Sequence, residues 1–385
     1  KILAMASRPP LWILVLLIMF PQLVETIYSP ALPNIALSFN ITNERAAQTL
    51  SVYFFAFAIG VALWGRLSDV IGRRPAMILG LIIYASGSLL AIVAQDFNVL
   101  LFARMISALG AAAGSVVVQT MLRDSYESIV LAKVFSIMGA AVAVSPVFGL
   151  ISGGWIVSLY GHMGIFIGLT ILAIILILLV IFSLPETRPT YSIKQNIMKL
   201  SFLMAKDTKL WLNAILVSLF NTMIFSYYSL GPFLFERLGW ESKEFGWTGL
   251  ALAISALFAS YLNRRLLAKS FKPEELIQYA CLLSILSSVF VFVLQNSLWV
   301  IVPILGVVMA YSIAIPNLLS QALISYRAQA GTAGALFGFI YYFLLSLMLA
   351  ISGLVQNLGL VLIVCAITAY LCKSNSINFL RSYSN

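Results

Sequence analysis

Stretches of about twenty apolar residues recur along the whole chain, each long enough for an α-helix to cross the hydrocarbon of a bilayer. Twelve such spans can be placed, near residues 10–30, 45–65, 75–95, 97–119, 131–155, 163–184, 209–231, 245–263, 276–294, 297–321, 332–355 and 357–373. Apolar residues make up 62% of the 385-residue chain and charged residues only 9%, too few to cover a water-facing surface of that size. The pattern therefore points to an all-α, polytopic membrane protein. The first run, Leu11 to about Tyr28, follows Lys1 and Arg8 as the core of a signal peptide would. Pro21, Gln22 and Glu25 inside it suit a first transmembrane helix better.

The net charge of +10 does not indicate nucleic acid, because the basic residues are scattered over short loops. Arg45, Arg237 and Lys243 fall on one set of loops and Arg104 within a span; the other Lys and Arg lie with the two termini on the opposite side. The positive-inside rule makes that basic side, including the termini, cytoplasmic. The longest polar segment divides the spans into six and six, giving units 1–184 and 209–385 joined by a linker, 185–208. Residues 192–206 read as a short amphipathic helix on the membrane surface. Cys281, Cys365 and Cys372 lie in or beside spans without metal-ligand spacing, so neither a disulfide nor a metal site is expected. The only histidine, His162, sits in a short loop. No catalytic cluster is visible, and we expect neither an enzyme nor a cofactor.

Between the second and third spans the chain reads Gly65-Arg66-Leu67-Ser68-Asp69-Val70-Ile71-Gly72-Arg73-Arg74-Pro75. Charge alone makes this a hairpin held at the basic face. The spacing is more informative: Gly65 permits close helix approach, and Arg73 lies one helical turn from Asp69. This Gly-x-Leu-x-Asp-x-x-Gly-Arg-Arg pattern resembles the loop between helices two and three of the major facilitator superfamily. The resemblance implies two six-helix bundles around a central cavity lined by helices one, four, seven and ten. It also implies that Asp69 docks on the start of helix eleven, where Thr332 reads as an N-cap, and that Asp124 faces Arg73. Gly65, Asp69, Arg73, Asp124 and Thr332 are thus the expected gating residues. A faint echo after span eight (Arg264, Arg265, Lys269, Lys272) lacks the Gly-x-x-x-Asp core.

Glu25 and Arg104 are the only Asp, Glu, Lys, Arg or His side chains well inside the spans, and intramembrane charge marks a pathway or coupling site by default. At 1.5 Å per residue, Glu25 lies about 7–8 Å and Arg104 about 10 Å below the outer ends of their spans, depths compatible with a pair. One reading is a fixed ion pair holding two helices together. The other is proton coupling, because burial favours a neutral carboxyl whereas an adjacent guanidinium favours the carboxylate.

Further motifs resemble those of Bcr/CflA-type drug:proton antiporters. They include the Tyr28-Ser29-Pro30-Ala31-Leu32-Pro33 exit of span one, Arg123-Asp124-Ser125-Tyr126 after span four and Pro185-Glu186-Thr187-Arg188 after span six. Many relatives place an aspartate where this chain has Thr26; here the acid is one residue earlier, about 100° around the helix. Ser145-Pro146-Val147-Phe148-Gly149-Leu150-Ile151-Ser152-Gly153-Gly154 resembles the antiporter-associated Gly-Pro-x-x-Gly-Gly motif, with Leu150 in place of a proline. Gln22, Glu25, Tyr28, Arg104, Asn221, Tyr228, Tyr311 and Tyr341 are the expected substrate-binding residues. The resemblance implies a monomeric, proton-coupled exporter of small amphipathic organic molecules in a bacterial inner membrane, its partners being substrate, protons and lipid. A dedicated importer or exporter of one metabolite or siderophore is the alternative, and a transport-dead receptor a remote one.

Overall fold

The computed structural model describes residues 8–126, 128–189 and 197–382. Among the described residues all regular structure is helical, with twelve long helices. They are α1 Leu11–Ser38, α2 Asn43–Ile71, α3 Arg73–Val93 and α4 Phe97–Ser125. The helix Ser128–Ser183 bends at Gly161, whose φ is 66°, and so supplies both α5 and α6. The second half comprises α7 Thr208–Arg237, α8 Ser242–Ala268, α9 Pro273–Leu294, α10 Ile301–Ala322, α11 Ala330–Val355 and α12 Leu358–Ser382.

Local chemistry sets the starts. The side chains of Thr42, Asp96 and Asp207 accept from backbone N–H groups in the first turns of α2, α4 and α7, satisfying donors that a helix start leaves open. Pro273 opens α9, where its missing N–H costs nothing.

Three expectations about boundaries change. The first helix passes through a 3₁₀ turn at Ser29–Ala31 and continues to Ser38. Pro30 and Pro33 each sit in the opening residues of a helical segment, a position that proline tolerates. The stretch 65–75 is barely a loop. Helix α2 runs to Ile71, α3 begins at Arg73, and the break is Gly72, at a φ of 103° that L side chains rarely adopt. Of the surface helix expected at 192–206, Ile197–Ala205 is observed, its earlier part lying outside the described residues.

The helices form two bundles, α1–α6 and α7–α12, joined along α2 against α11 and α5 against α8. Lipid tails are as apolar as leucine, so helices associate through close van der Waals contact, which small residues permit. The run Gly110-Ala111-Ala112-Ala113-Gly114 in α4 supplies it: Ala112 meets Gly60 of α2, Gly110 meets Gly80 of α3, and Gly114 meets Pro21 of α1. Three neighbours converge on α4 less than three turns beyond Arg104, which fixes that side chain in the centre of the first bundle.

Candidate functional site

Helix α1 brings its polar stretch to the bundle centre. Thr26 Oγ1 donates to the Gln22 carbonyl at 2.8 Å, closing its hydroxyl onto its own helix, and its side chain abuts Gly149 of α5. Position 26 is therefore a helix-contact position in this chain. Glu25, turned away from that contact, is 2% exposed, and neither of its carboxylate oxygens has a hydrogen-bond partner. Because α1 continues past Tyr28, Glu25 lies about 20 Å before the helix end at Ser38, deeper than its span suggested.

Arg104 is likewise 2% exposed. Its guanidinium lies 4.1 Å from the ring centroid of Tyr28 and 4.4 Å from that of Tyr53, while Nε and Nη2 have no hydrogen-bond partner. Glu25 and Arg104 are within electrostatic range, but among the described residues the ion pairs are Arg73 with Asp69 and Arg73 with Asp124. The fixed ion pair considered from the sequence is thus not formed in this structure, since two tyrosine rings occupy the space around the cation.

The second bundle faces this cluster with neutral groups. Tyr311 donates to Asn221 Oδ1 at 3.3 Å, and Asn221 Nδ2 donates to the Val217 carbonyl at 2.8 Å. Tyr341 packs on Tyr342 with ring centroids 4.3 Å apart. Tyr228 stacks edge-on against Phe225, and its carbonyl accepts from Ser29 Oγ of α1. Tyr228, Tyr311 and Tyr341 all lie within electrostatic range of Glu25, and Gln22 is half-buried one turn from it. Sequence reasoning missed Tyr53, Phe54 and Phe57, which with Tyr342 form an aromatic seam across the two bundles. Tyr53 and Phe57 share a helix face at i, i+4, but nothing in the sequence says that this face turns inward.

At the basic end, Arg73 Nη1 meets Asp69 Oδ1 at 2.5 Å and Arg73 Nε meets Asp124 Oδ2 at 2.8 Å. Glu186, from the segment after α6, caps the start of α3 by accepting from the backbone N–H groups of Arg73 and Arg74 at 2.9 and 3.1 Å. Arg188 and Arg74 return the arrangement by donating to the carbonyls of Val70 and Ile181 near the ends of α2 and α6. Both exchanges place charge where helix dipoles favour it. Gly65 brings α2 against α11: a methyl group there would stand 2.9 Å from the Ala335 Cβ. Thr332 is not an N-cap, because the 3₁₀ stretch Ile324–Gln329 leads directly into α11 and leaves Thr332 inside its first turn.

The opposite end is closed between bundles. Ser242 Oγ of α8 donates to the Pro30 carbonyl at 3.0 Å, beside the Ser29–Tyr228 bond. Toward the basic end, a methyl added at Gly139 of α5 or Gly331 of α11 would meet nothing within 4 Å.

Comparison with known proteins agrees with this architecture. A protein of Rickettsia felis named as an uncharacterized transporter is 31% identical over 352 residues, 87% of each chain. The bicyclomycin resistance protein homolog of Haemophilus influenzae is 25% identical over 339 residues, covering 85% of this chain and 84% of that one. Among solved structures, a bacterial homologue of the human lysosomal transporter Spinster, inward-facing and unoccupied, superposes with a TM-score of 0.74 at 17% identity, covering 94% of this chain and 96% of that one. The pattern of the Major Facilitator Superfamily matches residues 14–353, and the chain belongs to that family of transporters.

Proposed function

We propose that this chain is a proton-coupled exporter of small amphipathic organic molecules, of the Bcr/CflA drug-efflux kind. It works as a monomer in a bacterial inner membrane with both termini cytoplasmic. The observation that carries this reading is Glu25, the only buried Asp or Glu among the described residues, with both carboxylate oxygens unpartnered. A carboxyl in such a place is most stable when protonated, and a nearby guanidinium stabilises it once the proton has left. Asn221, Tyr228, Tyr311 and Tyr341 supply ring faces and neutral hydrogen-bonding groups to an organic substrate beside it. The name of the Haemophilus relative supports drug export. The units 1–184 and 209–385 rock about the α2–α11 and α5–α8 seams, and the contacts of Ser29 and Ser242 belong to the conformer closed at the outer end. Breaking and remaking the Asp69–Arg73–Asp124 cluster accompanies the return, with Gly65 and Thr332 at the same inter-bundle seam.

The test is Glu25→Gln in proteoliposomes with an imposed proton gradient. Transport falls to the leak rate while substrate binding persists. Wild-type coupling in that variant overturns the assignment. Leu150, in place of the antiporter proline and packed against Gly246 and Gly249 of α8, favours a second reading, a dedicated carrier of one metabolite or siderophore. A thermal-shift screen of drugs against metabolites and siderophores separates the two.

A further inference from the structure

Two different partners compete for one buried cation. One is Glu25, three residues before Tyr28 on the same helix and within electrostatic range of Arg104. The other is the pair of ring faces of Tyr28 and Tyr53, 4.1 and 4.4 Å from the guanidinium carbon, both rings fully buried. A ring face attracts a cation through its quadrupole, more strongly once water is excluded. In this structure the rings hold Arg104, and the carboxylate oxygens are left without a partner.

We propose that Tyr28 and Tyr53 are positioning residues that form a holding site for Arg104, keeping it off Glu25 while that carboxyl carries a proton. This rests on Glu25 being the coupling carboxylate. When the proton leaves Glu25 for water at the open end, the guanidinium moves from the rings to the carboxylate and the buried charges neutralise each other. Proton uptake reverses the exchange. Without the rings, Arg104 stays at Glu25 and competes with every proton that arrives.

The geometry also ties the holding site to rocking of the bundles. Tyr53 stacks on Phe57 with ring centroids 6.1 Å apart, and Phe57 meets Tyr342 of α11 at 4.8 Å. The adjacent Phe54 meets Phe225 of α7 at 4.5 Å. A shift of α11 or α7 against α2 therefore acts on the residues that flank Tyr53. Among the described residues, the other titratable groups within electrostatic range of Glu25 or Arg104 are tyrosines: Tyr84 of α3, Tyr228 of α7, Tyr311 of α10, and Tyr341 and Tyr342 of α11. A tyrosine hydroxyl has an ordinary pKa of about 10 and stays neutral through the range in which a carboxyl titrates.

The experiment follows the infrared C=O stretch of the protonated Glu25 carboxyl against pH in purified protein in lipid, the band being identified by its loss in Glu25→Gln. Tyr53→Leu removes one ring and moves the midpoint of the band to lower pH by about one unit. Tyr53→Phe keeps the ring face and keeps the wild-type midpoint. In an Arg104→Gln background, Tyr53→Leu has no effect, because the cation through which it acts is gone. An unmoved midpoint in Tyr53→Leu, an equal shift in Tyr53→Phe, or a shift that survives Arg104→Gln overturns the holding site. Should Tyr53→Leu fail to fold, Tyr28→Leu carries the same expectation. The band reports on Glu25 without transport, so retained coupling in Glu25→Gln defeats the coupling assignment, whereas the ring variants decide the holding site by themselves.

Discussion

The first bundle buries Glu25 and Arg104 in the middle of its helices, whereas the second meets the same interior with neutral pairs. Tyr311 bonds Asn221, Asn317 Nδ2 donates to Asn263 Oδ1 at 2.8 Å, Ser226 pairs with Ser352 at 2.8 Å and Tyr227 with Thr248 at 2.7 Å. Among the described residues, the buried charge of the second bundle is Lys373, near the basic-face end of α12. The same contrast recurs at that face. Arg73 is a buried hub between two aspartates, while Arg264 and Arg265, near the end of α8, are exposed. Folds assembled from repeats do not need identical chemistry in each copy. A buried charge is costly and useful only where it changes state, so under the proposed proton coupling one bundle suffices to carry the proton while the other shapes the space for a substrate.

The basic face offers the sharpest way to break that comparison. Removing one member of a buried ion pair leaves an uncompensated charge, which costs about 3–5 kcal/mol, and Asp69 is exposed enough to place Arg73→Ala near the lower end. Arg265→Ala, at an exposed side chain resting on Tyr261, is expected to change stability by no more than about 0.5 kcal/mol. Thermal unfolding midpoints in detergent check both. Equal losses would mean that the two hairpins are mechanically equivalent after all.

A smaller effect tests the neutral pairs. Asn317→Leu leaves the Asn263 amide oxygen buried without its donor, which costs about 1–3 kcal/mol. Replacing both asparagines by leucine is close to neutral, because no polar group is then left unsatisfied. The double variant is the stronger check. If it is as unstable as the single one, Asn263–Asn317 holds something beyond the pair, and the second bundle is less passive than its chemistry suggests.

How far the sequence reaches depends on which physical signal each feature leaves. The helix count and the pairing of bundles follow from hydropathy and from the Gly65–Arg74 pattern, because twenty-residue apolar runs allow little else. The i, i+4 contact of Asp69 with Arg73 is legible from spacing alone, whereas Arg73 with Asp124 needed a known relative to suggest it. Glu25 and Arg104 stand out because they are charged in an apolar run. Their surroundings do not: nothing in a run such as Ser51-Val52-Tyr53-Phe54-Phe55 says which ring turns inward. The Glu186 cap on α3 was equally hidden, because it joins residues more than a hundred positions apart.

The smallest expected effect concerns Tyr311 and Asn221. Their contact is neutral and, at 3.3 Å, long for a hydroxyl donor. Tyr311→Phe keeps the ring and removes only the hydroxyl. Asn221 retains its own bond to the Val217 carbonyl, so the amide stays anchored. A neutral hydrogen bond of this kind is worth about 0.5–1 kcal/mol net; where the hydroxyl turns to a bound substrate, as the proposed site requires, its loss weakens affinity about two- to fivefold. The proton dependence of transport should not move, since neither group changes charge near neutral pH and Glu25 and Arg104 are untouched. Paired measurements of substrate Kd and of the pH profile of uptake read the two separately. A shift of the pH profile in Tyr311→Phe would show that the hydroxyl takes part in coupling, and the division of labour between a charged first bundle and a neutral second one would no longer hold.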